Sequence, residues 1–221
     1  MNPHTRLEDI AAVASISDPV RRSLFDFVTR SESAIGRDEA STALGIPRGT
    51  VAFHLDRLVE SGLLATQFQR LTGKIGPGAG RPSKLYRLAE SEVTVSVPER
   101  HYDLAAELLS SAIEESDRSS EPIRQAVIRV STARGRALRN SAGSFTAMLW
   151  AAGYEPQNTE AGGMILTNCP FRRLALSHTE LICQANLALL QGAADKDEDV
   201  RFEPGEGRCC VQIEGMETKP V

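Results

Sequence analysis

The chain has 221 residues, a formal net charge of −4, 41% apolar residues and four cysteines. That length builds one large domain or two small ones and buries a real core, so cysteines are not needed as staples. No run of about 18 apolar residues is present, which excludes a membrane-spanning helix, and the polar residues 1–10 carry no signal-peptide pattern, so the expected location is the cytoplasm. Cysteines kept reduced there point to metal binding, redox chemistry or plain packing.

The charge is unevenly spread. Residues 1–90 hold 12 Lys+Arg and 10 Asp+Glu, a net of +2, and residues 91–221 hold 13 and 19, a net of −6. Between Glu60 and Glu90 there is no acid, while Arg70, Lys74, Arg81, Lys84 and Arg87 give +5. Charge runs are ordinarily solvated faces. This one adjoins a helical pattern of a specific kind.

Asp18 and Pro19 form a helix start, cap then first-turn proline, and Val20, Leu24, Phe27 and Val28 recur at helical spacing. Residues 31–36 read as a loop. Residues 37–44 read as a short helix ended by Gly45, which suits the left-handed turn after a helix. Pro47 starts a third helix with Val51, Leu55, Leu58 and Val59 as its apolar stripe. The opposite face carries Arg48, Thr50, Phe53, His54 and Arg57, and Gly62 ends the helix. Helix, short turn, helix is the layout that places a reading helix in the major groove, where base edges are distinguishable. Residues 63–71 and 83–88 then read as strands flanking a Gly/Pro-rich tip, a wing whose basic groups reach phosphates. The glycines at 73–80 do not form a nucleotide-binding loop, because no Gly-Lys-Ser/Thr ending or helix start follows.

The stretch Leu44-Gly-Ile-Pro-Arg-Gly-Thr-Val-Ala-Phe-His-Leu-Asp-Arg-Leu-Val-Glu-Ser-Gly-Leu-Leu64, with Gly80-Arg-Pro-Ser-Lys-Leu-Tyr-Arg-Leu88, resembles bacterial winged-helix regulators of the ArsR/DeoR type over about residues 7–90. The resemblance implies a dimeric repressor or activator on double-stranded promoter DNA. Arg48, Thr50, His54 and Arg57 are expected to approach base edges and neighbouring phosphates. Arg70, Lys74, Arg81 and Lys84 are expected to hold the backbone.

Beyond the wing, residues 93–97 alternate like a short strand. A helix is expected from Pro98 to about 116 and another from Glu121-Pro122, both amphipathic. They serve either as a dimer interface, which suits a palindromic operator, or as cover for the second domain's core. A helix over 144–152, a hairpin from 154–157 and 164–167, helices over 171–177 and 180–192, and a second hairpin from 200–203 and 208–213 complete the pattern. The expected fold class is α+β: a winged helix-turn-helix domain over 1–90, a helical linker and dimerisation segment over 91–140, and a small α+β sensor domain over 141–221.

The cysteines, at 169, 183, 209 and 210, all lie in this last part, without the compact C-x2-C pair of a zinc ribbon. With Cys209 and Cys210 in a strand, neighbouring side chains point to opposite faces, so one of the two joins Cys169 and Cys183. Three cysteines plus one further group result, and His178 is the nearest candidate. That set suits zinc or an iron–sulfur cluster; the alternative is that each cysteine is a small core residue.

Asn168-Cys-Pro-Phe171, His178, Leu181-Ile-Cys183, Asn186-Leu-Ala-Leu-Leu-Gln-Gly192 and Gly207-Arg-Cys-Cys210 resemble the sensor domain of regulators similar to the suf-operon repressor. The resemblance implies an iron–sulfur cofactor, the four-iron four-sulfur form among those it allows; the alternative is a C-terminal domain that binds a structural zinc or a small molecule. It places Cys169, Cys183 and one of Cys209 and Cys210 on cluster cysteines. The adjacent pair departs from the family pattern and leaves the fourth ligand open. No G-x-S-x-G, H-E-x-x-H or nucleotide fingerprint occurs, so the expected protein is a regulator and not an enzyme.

Overall fold

The computed structural model describes residues 6–70, 82–90, 92–160, 162–196 and 198–215. The chain divides into two compact units, residues 1–95 and 96–221.

In the first unit, α1 (Arg6–Ser15) precedes α2 (Pro19–Thr29), β1 (Ile35–Gly36), α3 (Arg37–Leu44), α4 (Arg48–Glu60), β2 (Leu64–Gln69) and β3 (Ser83–Leu88). Asp18 caps α2 by accepting from the Arg21 backbone N–H at 2.9 Å, with Pro19 at the start of the helix, as the sequence pattern predicts. Gly45 ends α3 at φ +66°, a conformation that costs a side chain and not a glycine. The α4 stripe is as expected: Val51, Leu55 and Leu58 are buried against Leu24, Val28 and Tyr86. Two features depart from expectation. α1 is a helix that the pattern did not signal, and Ala12 is its buried residue. The supposed loop over 31–36 ends in β1, which pairs antiparallel with β3 through Ile35 and Tyr86, so the sheet runs β1-β3-β2.

In the second unit, α5 (Tyr102–Ser119), α6 (Ile123–Ala142) and α7 (Phe145–Ala151) lead to β4 (Pro156–Asn158), β5 (Met164–Leu166), α8 (Arg172–Ser177), α9 (Thr179–Ala193), β6 (Glu198–Phe202) and β7 (Val211–Gly215). The sheet is antiparallel throughout, in the order β4-β5-β7-β6. The strand expected over 93–97 does not form: Val93 packs on the first unit's core while Val97 is 81% exposed. Nor do the helices over 91–140 form a separate segment. Leu104, Ala105 and Leu108 of α5 share one core with Phe145, Leu149, Leu189 and Val211.

The apolar helix α9 lies against α6, close enough that two glycines are required. A Cβ on Gly135 would stand 1.9 Å from the Leu189 carbonyl oxygen, and one on Gly192 would stand 2.1 Å from that of Thr132. This crossing fixes α9, which carries Cys183 and Asn186, relative to the helical layer.

Candidate functional site

Two groups of residues carry chemistry, one in each unit. On α4 the outward positions are Arg48, Gly49, Phe53, Arg57 and Glu60, with Thr50 and His54 half-buried. Arg48 is paired with Asp38 of α3. Arg57 is paired with Glu60 at 2.9 Å, and its guanidinium lies 5.5 Å from the centre of the Phe53 ring. Phe53 is 55% exposed and meets the His54 ring edge-on. Among the described residues, the buried Nδ1 of His54 has no hydrogen-bond partner. Arg70 is exposed just after β2.

Lys84 is tied down more firmly than a free wing cation. Its Nζ donates to Asp56 Oδ1 at 2.6 Å and lies 5.3 Å from the centre of the Tyr86 ring. The Tyr86 hydroxyl donates to the same oxygen at 2.8 Å. Burial works against charge on Asp56, but Lys84 and Tyr86 together hold its carboxyl below the ordinary value. Burial first, then the bond to Asp56, push the Tyr86 phenol up. Lys74 and Arg81, also expected on the DNA backbone, lie outside the described residues. Sequence reasoning missed Asp56, the acid that joins α4 to β3; its signal was its place as the one acid between Arg48 and Arg57.

In the second unit the four cysteines are free thiols. Cys169 follows β5, in a loop anchored by Asn168. The Asn168 amide donates to the Gly153 and Glu99 carbonyls at 2.6 and 2.9 Å, and its oxygen accepts from Arg100. Cys183 lies on α9. Cys209 and Cys210 are not in a strand, contrary to expectation; they occupy the bend just before β7. The Cys209 N–H donates to the Leu166 carbonyl at 2.9 Å, which brings the pair beside the Cys169 loop.

Strand alternation therefore does not apply, and both members join the group. The Cys209 thiol hydrogen-bonds Cys169 and Cys210, and the Cys183 thiol hydrogen-bonds Cys210. The bonds sort the four by acidity. Cys209 foremost pushes Cys210 down to about 6, with Cys183 and Asn186 assisting against burial. Cys209 also holds Cys169 below the ordinary thiol value. Burial, reinforced by Cys210, pushes Cys183 up to about 12. Donation to Cys169 and Cys210, and then burial, hold Cys209 well above the ordinary value.

His178 does not join them. It is exposed at the junction of α8 and α9, and its imidazole is not among the groups acting on any of the thiols. Among the described residues no set of three or more His, Cys, Asp or Glu side chains stands ready to hold a metal ion. The thiols act on one another's acidity in the order Cys169, Cys209, Cys210, Cys183. A metal replaces the S–H protons of such thiols. The donor set itself, all sulfur, is one that zinc and iron–sulfur clusters take.

Among comparisons with known proteins, residues 16–67 match the family model of a helix-turn-helix domain. No curated protein and no solved structure matches the chain. The matched stretch runs from the approach to α2 into β2, so the first unit carries a helix-turn-helix domain, which supports a DNA-binding regulator with DNA as partner. Among the described residues no helix is long and apolar enough to cross a membrane.

Proposed function

We propose that this chain is a cytoplasmic winged-helix transcriptional repressor of the ArsR/DeoR type. It binds promoter DNA as a homodimer and reports iron–sulfur or redox status through Cys169, Cys183, Cys209 and Cys210. On DNA, α4 presents Arg48, Thr50, His54 and Arg57, and the wing presents Arg70, Lys74, Arg81 and Lys84. Ion pairs such as Arg57 with Glu60 are exposed and weak, so DNA phosphates compete for the guanidinium groups. Nothing in the reading requires catalysis.

The observation that carries the sensing half is the gathering of four thiols, from three separate stretches of chain, into one hydrogen-bonded group. Packing alone asks of a cysteine only that it fill a small apolar space. Cys169, Cys183, Cys209 and Cys210 would hold the cofactor, and His178 would not. A bound cluster supplies a centre sensitive to iron supply and oxidation. The residues' own part is to exclude water and to supply thiolates, of which Cys210 is the most readily formed. Occupancy would have to bias states that differ in DNA affinity, the thermodynamic requirement for a switch.

Iron, sulfide and zinc quantification with absorbance spectroscopy on anaerobically purified protein tests this reading, alongside promoter binding before and after oxidation. Iron and sulfide with a visible chromophore is the expected result. A colourless, iron-free protein that reconstitution leaves unaltered overturns the cluster. One zinc per chain would replace it with a structural zinc site, the reading the all-sulfur donor set also supports.

A further inference from the structure

The interior of the second unit contains an amide that its surroundings do not otherwise require. Asn186 sits one turn after Cys183 on α9 and is 1% exposed, among Ile182, Leu189 and Leu190. A buried amide is costly unless its hydrogen bonds are met. The other buried amide among the described residues, Asn168, spends its bonds on backbone carbonyls and Arg100, and so holds a loop. Asn186 spends its bonds differently. Its Oδ1 accepts from the Tyr154 hydroxyl at 2.5 Å, and its Nδ2 points at Cys209 Sγ at 3.2 Å and Cys210 Sγ at 3.9 Å.

The direction of this relay is fixed by chemistry. Tyr154 is fully buried, and burial together with Cys209, Cys169 and Cys210 keeps its phenol neutral. Its O–H must donate, and the carbonyl end of Asn186 is the end that accepts. Turned over, the amide would leave the buried Tyr154 O–H without this acceptor. Its N–H groups are therefore held towards sulfur. A neutral thiol is a weak acceptor, whereas a thiolate or metal-bound sulfur is a strong one.

We propose that Asn186 is a positioning residue of the four-cysteine site: Tyr154 locks its carboxamide so that the N–H groups hold the sulfurs of Cys209 and Cys210 as ligating acceptors. This rests on reading the four cysteines as a metal or cluster site. Outer partners of this kind orient ligands and tune the bound centre.

The test is an anaerobic titration of the reduced, metal-free protein with Co(II), following sulfur-to-cobalt charge-transfer absorption in the near ultraviolet. It compares the wild type, Asn186→Leu and Tyr154→Phe, each checked by thermal melting. The wild type is expected to develop the band. Asn186→Leu is expected to bind Co(II) about 10–100-fold more weakly, the usual loss for an outer partner. Its band moves to longer wavelength, because sulfur lone pairs relieved of an N–H lie higher in energy. Tyr154→Phe, which keeps the ring, moves the band the same way by less; it decides alone if Asn186→Leu does not fold. Unmoved bands in the folded variants, whatever the affinity, mean that Asn186 only packs, and overturn the inference. No charge-transfer band in the wild type overturns the reading of the cysteines as a metal site, and this inference with it.

Discussion

Tyr86 of β3 donates its hydroxyl to Asp56 of α4 at 2.8 Å, on the same oxygen that Lys84 approaches at 2.6 Å. The phenol is buried and its acceptor is charged, so the bond matters more than the exposed ion pairs nearby. Tyr86→Phe is expected to cost the first unit about 1 kcal/mol, read as a lower urea midpoint at unchanged slope. The pH dependence follows from Asp56. Its folded carboxyl lies below the ordinary value, so its contribution is fully present above the unfolded value of about 3.9 and is lost as pH falls through the folded one. Asp56→Asn should therefore flatten the acid side of the stability curve and leave neutral pH dependence unchanged. A curve that keeps its acid slope in Asp56→Asn would place the charge coupling elsewhere.

Two helical glycines, Gly49 of α4 and Gly135 at the α6–α9 crossing, carry opposite predictions. Alanine is intrinsically better than glycine in a helix by about 1 kcal/mol. At Gly49, in the first turn of α4, where a Cβ meets nothing within 4 Å, only part of that gain is expected. At Gly135 the Cβ would stand 1.9 Å from a backbone oxygen, and backbone does not swing aside as a side chain does. Gly135→Ala is expected to destabilise by about 1–3 kcal/mol net of that gain. Thermal melts of the two variants should shift in opposite directions; an upward shift for Gly135→Ala would contradict the crossing.

What was legible in the sequence was local. Val51, Leu55 and Leu58 define a face of α4 by spacing alone, and Asp18 with Pro19 marks a helix start by its own hydrogen bonding. What was not legible depends on partners distant in the chain. β1 is a strand of two residues, too short for any period, and exists because β3 pairs with it. Residues 93–97 have the period of a strand, but Val93 goes to a core and Val97 to solvent, with no neighbour strand. For the cysteines the expectation was Cys169, Cys183 and one of Cys209 and Cys210, with His178 as the fourth; neither the bend at 209–210 nor the exposure of His178 was legible. A left-handed Gly207 precedes the Cys209–Cys210 bend, and that local turn invalidates strand alternation. Closeness to Cys183 in sequence made His178 a candidate, yet the junction of α8 and α9 leaves it in solvent.

On promoter DNA, charge and shape should separate. Arg57→Ala removes a cation from the outward face of α4, so affinity should fall and the log–log salt slope should shrink by about 1 for each phosphate no longer neutralised. Phe53→Ala removes exposed apolar surface beside it without changing charge, so any fall in affinity should leave the slope as it was. Fluorescence anisotropy across a salt series measures both. Unaltered affinity and slope in Arg57→Ala would count against α4 as the reading helix.

The acidities of the thiols predict an order of reaction. In reduced, metal-free protein at pH 7, Cys210 has its thiol pushed down to about 6 and is less buried than the other three. The thiolate is the nucleophile. Iodoacetamide should therefore label Cys210 first, with a rate that rises through pH about 6 and then levels. Cys183, pushed up to about 12 and buried, should stay unlabelled in the folded protein at that pH. The largest cause of the low value at Cys210 is the Cys209 thiol, so Cys209→Ala should slow labelling at pH 7 and move the inflection upward. Site-resolved mass spectrometry reads both effects. Equal labelling of Cys183 and Cys210 in folded protein would mean that neither burial nor the thiol interactions set the two apart.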